Sequence, residues 1–552
     1  MTGRRWILVR CDKQSKLSNM EQWIIICLLI ACANIAHQVS TPNSETYTAA
    51  VVEFPPVHEI DAESTLKANT DSYIRNIKIA NASDVDIIVF PEDGLTTISL
   101  PGREKMDDWS TIIPAAFKNY IPCDENTIKV SETLRRISCA AKENRIYVVI
   151  NIAEKLPCDN STCTKYDEAY YNTNVVFDRN GKIIARYRKT NLFVEPQFNI
   201  TRIPEIVTFD TDFGVTFGTF ICFDILFKIP ALLLTRIHQI TDIVYPTAWF
   251  SEMPFLTAVQ TQAGWSFAED VNLLVAGYNN PPRGSTGSGI YLGRKGIGKA
   301  IMSPTLHEEV LIYKVPKMKK KTESNQQASH STDGQGNFFH GKKHVHDELR
   351  KKREDNTVAS DRLKLLRDKI DSFDTLPLEG NSTRTICQND FCCDFTVEML
   401  KIDPTTKYRL AVFNGVRSFY AINGSVSACG IMQCSNQSIE SCGSTEESET
   451  VFGNIDISTT FHNYKNVLIM PSILDSQLYP FKVTDWSYGE HTHEDHVHVS
   501  ISLINKKNNL LTFGLYSRNF VNGASVPSFN IVTYFAALLL ALFLPNFIRY
   551  VY

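Results

Sequence analysis

Residues 85–95 read VDIIVFPEDGL, and this stretch decides the fold class of the N-terminal half. The run VDIIVF is continuous, apolar and β-branched, which is typical of a strand buried on both faces. Glu92 follows the strand almost at once. Further buried strands are predicted at 147–153, 215–223, 242–245 and 273–277, a hairpin at 174–178 with 182–187, and helices at 64–79, 131–145 and 255–271. This alternation of strands and helices predicts an α/β layered domain over residues 46–315.

Composition and charge distinguish two further regions of the chain, residues 316–369 and residues 370–520. Fifty-six basic against 60 acidic residues in 552 give a net charge of −4, which excludes a chain-wide nucleic-acid-binding surface. Residues 316–369 combine Lys and Arg clusters with Ser, Gln, Gly and His, so we predict a charged low-complexity insert. The insert could bind anionic glycans or lipid headgroups, be cut by a dibasic-specific protease, or have no partner. Residues 370–520 predict a smaller β-rich domain.

Both ends of the chain carry apolar runs. Residues 23–33 (WIIICLLIACA) follow a basic segment and predict a signal peptide over 1–36, with an uncleaved anchor as the alternative. Residues 531–544 (IVTYFAALLLALFL) follow small residues that include Asn522, the predicted lipid-attachment site. This order predicts a glycosylphosphatidylinositol signal over 521–552, with a transmembrane tail or a buried helix as alternatives. Both runs are shorter than the roughly 20 residues that cross a bilayer.

Because the chain is predicted to be exported, its N-x-S/T sequons are candidate glycosylation sites on surface loops. Together with the two terminal signals, they predict a glycoprotein held by a lipid anchor on the extracellular face of the plasma membrane. The sequons lie at Asn81, Asn160, Asn199, Asn381, Asn423 and Asn436.

The 14 cysteines favour an oxidising compartment, and their parity is informative. Three lie within residues 1–36, which leaves 11, an odd number. Ten of these could form up to five disulfide bonds: Cys123, Cys139, Cys158, Cys163, Cys387, Cys392, Cys393, Cys429, Cys434 and Cys442. Cys222 remains, in the apolar segment GVTFGTFICFDILF, and is the candidate free thiol. A single apolar-flanked cysteine is either an inert core residue or a reactive one.

Three predicted strand ends carry chemically useful groups. Glu92 follows one strand, Lys189 follows the hairpin strand, and Cys222 lies in the third segment. Ligands of α/β folds bind where strands end at one edge of a sheet. A carboxylate that deprotonates a thiol, and an ammonium that holds an oxyanion, suffice for acyl transfer. Each residue taken alone could equally be an ordinary surface or core residue.

The segments VFPEDGL, RYRKTNLF and GTFICFDILF, in that order, resemble the nitrilase (carbon–nitrogen hydrolase) superfamily with its Glu–Lys–Cys triad. The segments NVVFDRNGKIIARYRK, YPTAWF and CQNDFCC resemble its vanin/biotinidase branch. The resemblance implies an α-β-β-α sandwich followed by a smaller β-rich, disulfide-containing domain. It covers nearly the whole chain except 316–369.

The resemblance also implies roles for individual residues. Glu92 would be the general base, Lys189 the oxyanion-stabilising cation and Cys222 the nucleophile. Glu195 would be a supporting carboxylate, and the N–H of Phe223 a second oxyanion donor. Tyr245 and Trp249 would line the substrate pocket.

The reaction implied by the resemblance is hydrolysis of a small linear amide through a thioester, with no metal or organic cofactor. Vanins cleave pantetheine to pantothenate and cysteamine, whereas biotinidase cleaves biocytin and short biotinyl amides. The predicted lipid anchor favours pantetheine. The alternatives are biotinyl-amide hydrolysis and a surface glycoprotein that binds without catalysis.

Two other stretches invite different readings. Residues 491–498 (HTHEDHVH) could bind zinc or copper through alternate histidines, but an exposed polar strand is the favoured interpretation. The glycine-rich residues 284–298 match neither a P-loop nor a dinucleotide fingerprint, and predict a loop near the pocket.

Overall fold

A computed structural model describes residues 39–157, 168–318, 363–420 and 422–520. The helices and strands described below all belong to one compact unit, Ser40–Tyr552. The predicted signal peptide (1–36), the predicted lipid-attachment segment with Asn522, and the sequon at Asn160 lie outside the described residues. No helix among the described residues is long and apolar enough to cross a membrane.

The first part of the unit consists of two six-stranded sheets and three α-helices. The helices are α1 (Ala62–Asn81), α2 (Glu132–Asn144) and α3 (Ala258–Glu269). The strands are β1 (Thr46–Glu53), β2 (Ile87–Val89), β3 (Tyr147–Pro157), β4 (Glu168–Phe177), β5 (Ile183–Arg188), β6 (Val207–Asp210), β7 (Thr216–Thr219), β8 (Asp242–Thr247), β9 (Glu252–Met253), β10 (Asn272–Gly277), β11 (Ser288–Leu292), β12 (Ile297–Ile301) and β13 (Glu309–Pro316).

The two sheets pack face to face and the helices cover their outer faces. One sheet has the order β13-β1-β2-β3-β4-β5, and the other β12-β11-β10-β8-β7-β6. Apolar residues such as Val51 and Val244 fill the space between the sheets. Helices α1 and α2 pack on the first sheet, and α3 packs on the second. The predicted α-β-β-α sandwich is therefore confirmed.

Local sequence signals explain where the helices begin. The Asp61 side chain accepts a hydrogen bond from the Ser64 N–H at 2.8 Å and caps α1, and the Ser131 hydroxyl accepts from the Leu134 N–H at 3.3 Å and caps α2. Such caps satisfy backbone donors that the first helical turn leaves unpaired.

Two local predictions need correction. The strand expected over 215–223 is shorter, because β7 ends at Thr219 and a 3₁₀ turn, Cys222–Leu226, follows it. Cys222 therefore lies beyond a strand end and not inside a strand. The glycine-rich residues 284–298 are not a loop: β11 and β12 pair there as an antiparallel hairpin at the edge of the second sheet.

The C-terminal part is a sandwich of two largely antiparallel sheets, as the β-rich prediction expected. Its strands are β14 (Leu366–Arg367), β15 (Asp374–Leu378), β16 (Ser382–Gln388), β17 (Phe391–Lys401), β18 (Lys407–Phe419), β19 (Ile422–Cys434), β20 (Val451–His462), β21 (Val467–Asp475), β22 (Trp486–Thr492), β23 (His496–Leu503), β24 (Lys507–Asn508) and β25 (Leu510–Asn519). The sheet orders are β15-β18-β19-β25-β21 and β16-β17-β20-β23-β22, with β24 paired to β20. Buried apolar side chains fill the space between the sheets.

The two parts pack closely against each other. A Cβ atom at Gly264 of α3 would lie 2.4 Å from the Pro471 carbonyl oxygen on β21, so only glycine allows this approach. The Gln260 side chain donates to the Ser472 hydroxyl at 2.9 Å across the same interface. The five-stranded sheet thus covers α3, as an additional layer on the sandwich.

The predicted insert, 316–369, is described only at its two ends. Pro316 ends β13, and the chain is described again from Leu363, where β14 pairs in parallel with β9. The backbone N–H of Leu366 donates to the Ser251 carbonyl at 2.9 Å. Residues 363–369 therefore pack on the first domain, while the charged centre of the insert lies outside the described residues.

Four disulfide bonds are present among the described cysteines: Cys123–Cys139, Cys387–Cys392, Cys393–Cys429 and Cys434–Cys442. Cys393 on β17 and Cys429 on β19 join the two sheets of the C-terminal domain. Cys158 and Cys163 lie outside the described residues. Cys222 is the free thiol of the described chain, and it is buried.

The surface predictions can be located on this fold. Asn381, Asn423 and Asn436 are exposed, whereas Asn81 and Asn199 are half-buried. The histidine-rich stretch 491–498 forms the end of the β22–β23 hairpin, where His491 pairs with His498. Within the described ranges, no cluster of three or more His, Cys, Asp or Glu side chains is arranged to hold a metal ion.

Candidate active site

The fold brings Glu92, Lys189 and Cys222 into one buried site. Glu92 follows β2, Lys189 follows β5 directly, and Cys222 follows β7. Strands β2 and β5 run in the same direction, because β4 reverses the chain after β3 and β5 reverses it again. Their carboxyl ends therefore meet at one edge of the sheet. Glu92 and Lys189 are each 2% exposed.

The ammonium of Lys189 lies between two carboxylates. Its Nζ donates to Glu92 Oε1 at 2.7 Å and to Glu195 Oε2 at 2.6 Å. Glu195 also accepts from the Phe193 backbone N–H at 2.8 Å, which fixes the carboxylate in the loop after β5. The second oxygen of Glu92, Oε2, accepts from the Ala248 N–H at 2.8 Å. Glu195 thus stands in direct contact with the residues that it was predicted to support.

Buried asparagines hold the two carboxylates in place, and the sequence interpretation missed them. Asn172 on β4 donates to Glu92 Oε1 at 2.9 Å and to Glu195 Oε1 at 2.6 Å. Asn151 on β3 donates to the Asn172 side-chain oxygen at 2.6 Å. The signal was available, because asparagines inside apolar strands such as YVVINIA must find hydrogen-bond partners when buried.

The turn that carries Cys222 is held by two hydrogen-bonded side chains. The Tyr245 hydroxyl donates to the Cys222 carbonyl at 2.7 Å. The Asp224 carboxylate accepts from the Ile221 N–H at 3.0 Å and from the Tyr187 hydroxyl at 2.7 Å. Burial raises the pKa of Asp224 to about 6. These contacts fix the backbone that presents the thiol.

Tyr245 and Trp249, which were predicted to line the substrate pocket, are both buried, and each donates a hydrogen bond to a backbone carbonyl. Tyr245 is fully buried, and its hydroxyl contact with the Cys222 carbonyl makes it a brace for the Cys222 turn. Trp249 is 8% exposed, and its indole N–H donates to the Leu256 carbonyl at 2.9 Å. Phe223, which follows Cys222, packs its ring edge-on against Phe193 at a centroid distance of 5.0 Å.

The site also concentrates unusual backbone conformations. Asp93, Val194 and Cys222 have φ values of 55°, 55° and 45°, in the left-handed region that is costly for residues with a side chain. Asp93 follows Glu92, Val194 precedes Glu195, and Val194 is β-branched. Such strain persists where surrounding contacts over-determine the backbone, and it concentrates at functional sites.

The electrostatics of the site follow from burial and charge. Burial raises the pKa of the Cys222 thiol well above its ordinary value, Glu92 raises it further, and Lys189 partly offsets both. Burial alone lowers the pKa of Lys189, but the Glu195 and Glu92 carboxylates raise it well above its usual range. The resting site therefore holds a thiol, and a base is required to form the thiolate.

Burial raises the pKa of Asp93 well above its ordinary value too, and the charges of Glu92 and Glu195 add to this effect. The cluster thus contains more carboxyl groups than the single ammonium of Lys189 can neutralise. The raised pKa values favour a neutral Asp93 near the charged ammonium of Lys189.

Two family profiles match the chain. The profile described as "Carbon-nitrogen hydrolase" covers residues 48–258, which contain Glu92, Lys189 and Cys222, and "Vanin C-terminal domain" covers 363–523. The four-layer fold and this match define a carbon–nitrogen hydrolase, an enzyme class that cleaves amide bonds.

Curated relatives narrow the class. Vanin-like protein 1 of Drosophila melanogaster is 35% identical over 541 residues, and the match covers 92% of each chain. Pantetheinase of Mus musculus is 32% identical over 473 residues, covering 83% of this chain and 86% of its own length. The chain therefore belongs to the vanin branch of the carbon–nitrogen hydrolases. Among solved structures, an amidase from Nesterenkonia sp. is 14% identical, with a TM-score of 0.36, and covers 50% of this chain and 92% of its own.

We expect Glu92→Gln to separate two effects of this carboxylate. Amide hydrolysis should fall at least about a hundredfold, because the substitution removes the carboxylate predicted to act as the general base. The pKa of Cys222 should nevertheless fall, because the Glu92 charge raises it. The pH dependence of Cys222 alkylation by iodoacetamide, followed by peptide mapping, measures that pKa.

Glu309→Gln, on the edge strand β13, is the matched control and should change neither quantity. An unchanged or higher thiol pKa in Glu92→Gln would contradict the electrostatic arrangement described above.

Proposed function

We propose that this protein hydrolyses pantetheine to pantothenate and cysteamine through a thioester on Cys222. The observation that carries the proposal is the buried contact of Lys189 with both Glu92 and Glu195, next to a free thiol. Support for the substrate comes from the relatives, of which several that are 30–33% identical bear the name pantetheinase.

In the first half-reaction, Glu92 takes the proton of the Cys222 thiol, and Sγ attacks the amide carbonyl carbon. Lys189 and the Phe223 N–H stabilise the oxyanion of the tetrahedral intermediate. The intermediate collapses as Glu92 returns the proton to the amide nitrogen, the C–N bond breaks, and the free amine leaves. The acyl group remains on sulfur as a thioester.

In the second half-reaction, Glu92 takes a proton from water, and the hydroxide attacks the thioester carbonyl. The oxyanion again contacts Lys189 and the Phe223 N–H. Collapse breaks the C–S bond, Cys222 regains its proton and the carboxylic acid leaves. Hydrogen bonds with Glu195 and Asn172 hold the Lys189 and Glu92 side chains in position through both steps. The steps need neither a metal ion nor an organic cofactor.

Turnover of pantetheine by the wild type and by Cys222→Ala tests this function. The wild type should release cysteamine, and Cys222→Ala should lose activity by at least about a thousandfold, since no other group replaces the nucleophile. Thr216→Ala, on the strand before the nucleophile, is the matched control and should retain the wild-type rate.

The same assay with biocytin distinguishes the alternatives. Cleavage of biocytin in place of pantetheine would assign a biotinidase-like activity. Turnover of neither substrate, or full activity in Cys222→Ala, would refute the proposed reaction and favour a binding glycoprotein.

We also propose that the protein is exported and lipid-anchored on the extracellular face of the plasma membrane. Support comes from the apolar runs at 23–33 and 531–544, the small residues around Asn522, and the four disulfide bonds.

Intact cells treated with phosphatidylinositol-specific phospholipase C should release the protein into the medium. An Asn522→Pro variant, which disrupts the predicted attachment site, should not appear at the surface in a lipase-sensitive form. Retention of the wild type after complete digestion would contradict lipid anchoring.

A further inference from the structure

We propose that the C-terminal domain completes the substrate pocket, with Phe419 and Tyr420 at the tip of the β18–β19 hairpin forming its outer wall. This wall would set the affinity for the part of an extended, neutral amide that lies away from the scissile bond. The inference deepens the proposed amide hydrolysis and rests on it. It assigns a specificity role to residues that lie about 200 positions after the nucleophile.

The hairpin is anchored to the first domain by Arg417. Its guanidinium pairs with Glu252 on β9 and with Asp368, whose Oδ1 lies 3.0 Å from Nε. The same guanidinium stacks over the Phe419 ring, 4.4 Å from its centroid. Glu252 follows the YPTAWF segment closely, so the anchor lies near the catalytic edge of the second sheet. The tip is therefore held in a fixed position over the first domain.

A second arginine joins the hairpin to the nucleophile turn. Arg518 on β25 is 3% exposed, and its Nε donates to the Leu226 carbonyl at 3.1 Å. Leu226 ends the 3₁₀ turn that Cys222 begins. The guanidinium also stacks over Phe419, 5.0 Å from its centroid. A Cβ at Gly424 would lie 1.7 Å from Arg518 Nη1, so a side chain at that position would displace the guanidinium.

Aromatic side chains from several separate segments meet at the tip. Phe419 packs on Phe223 at a centroid distance of 5.7 Å, and Tyr420 meets Phe193 edge-on at 5.2 Å. Phe193 in turn contacts Phe223 at 5.0 Å and Phe250 at 6.3 Å. The Phe193 ring is thus shared by the nucleophile turn, the segment after β8 and the hairpin tip. Its own backbone N–H binds Glu195, so this aromatic cluster adjoins the catalytic carboxylates.

Tyr420 has features that packing alone does not explain. It is 66% exposed, and its φ is 56°, a left-handed conformation that is unfavourable for a bulky residue. An exposed aromatic ring in a strained turn contributes little to the core. Phe419 pairs with Ile422, so Tyr420 lies in a tight hairpin turn, where a positive φ is normal but Gly, Asn or Asp is the favoured residue. The feature left to explain is therefore the bulky exposed ring, and its contact with Phe193 places that ring beside the aromatic cluster of the nucleophile turn.

The apolar rings of the wall favour binding of apolar groups of the substrate. The rings of Phe193, Phe250 and Tyr420 present apolar faces and edges, which favour alkyl chains and the sulfur of a thiol. A small amide would reach Cys222 without touching Tyr420. An extended neutral amide with alkyl or thiol groups would contact it. Tyr420 should therefore affect binding of the extended substrate more than the chemical step.

Steady-state kinetics with pantetheine test this role in the full-length protein. Tyr420→Ala should raise KM about tenfold and leave kcat within about twofold, because it removes contacts made equally in the ground and transition states. Tyr420→Phe should retain the wild-type KM. Val416→Ala is the matched control, because Val416 is equally exposed on the same hairpin but away from the tip. An unchanged KM in Tyr420→Ala, or a loss confined to kcat, would overturn the proposal.

A second measurement does not depend on the substrate. The rates of Cys222 alkylation by iodoacetamide and by N-hexyl iodoacetamide give a ratio that reports contact with the wall. Tyr420→Ala should lower the ratio of extended to small reagent about fivefold, and Val416→Ala should not. An unchanged ratio would contradict the proposal that Tyr420 forms part of the pocket wall. A lowered ratio in a protein that does not cleave pantetheine would refute pantetheine as the substrate and support the role of Tyr420.

Discussion

The ammonium of Lys189, buried between Glu92 and Glu195, is the interaction on which the rest of the site depends. Three charged groups removed from water are stable only if each is paired and hydrogen-bonded, and removal of one partner from such a cluster typically costs about 3–5 kcal/mol. Asn172 and the backbone N–H groups of Ala248 and Phe193 supply further hydrogen bonds to the two carboxylates. The same enclosure keeps the Cys222 thiol protonated at rest, so activation has to come from a neighbouring base.

The main features of this arrangement could be predicted from the sequence because they depend on local patterns. Continuous apolar strands that end in a charged residue identified Glu92 and Lys189, and cysteine parity separated Cys222 from the disulfide candidates. The alternation of strands and helices predicted an α/β layered domain, and the resemblance to the carbon–nitrogen hydrolases implied the α-β-β-α sandwich. The signals for Glu92, Lys189 and Cys222 were thus local sequence patterns or a simple count.

Other features could not be predicted because they depend on contacts between distant segments. The apolar flanks of Cys222 indicated a continuous strand, but the Tyr245 and Asp224 hydrogen bonds hold a turn there. Tyr245 appeared as a pocket residue, although the second sheet buries it completely. The contact between Phe419 and Phe223 joins residues almost 200 positions apart, and no local sequence pattern predicts it. The C-terminal domain thus contributes to the site only through tertiary packing.

In the proposed reaction, Cys222 carries the acyl group between the two half-reactions. The most direct test of this role is intact-mass and peptide-mass measurement of enzyme that is acid-quenched within milliseconds of mixing with pantetheine. A pantothenoyl adduct is expected on the peptide that contains Cys222, absent in Cys222→Ala and discharged by hydroxylamine. Cysteamine release at the full rate with no adduct at any quench time, or an adduct on a different residue, would contradict it.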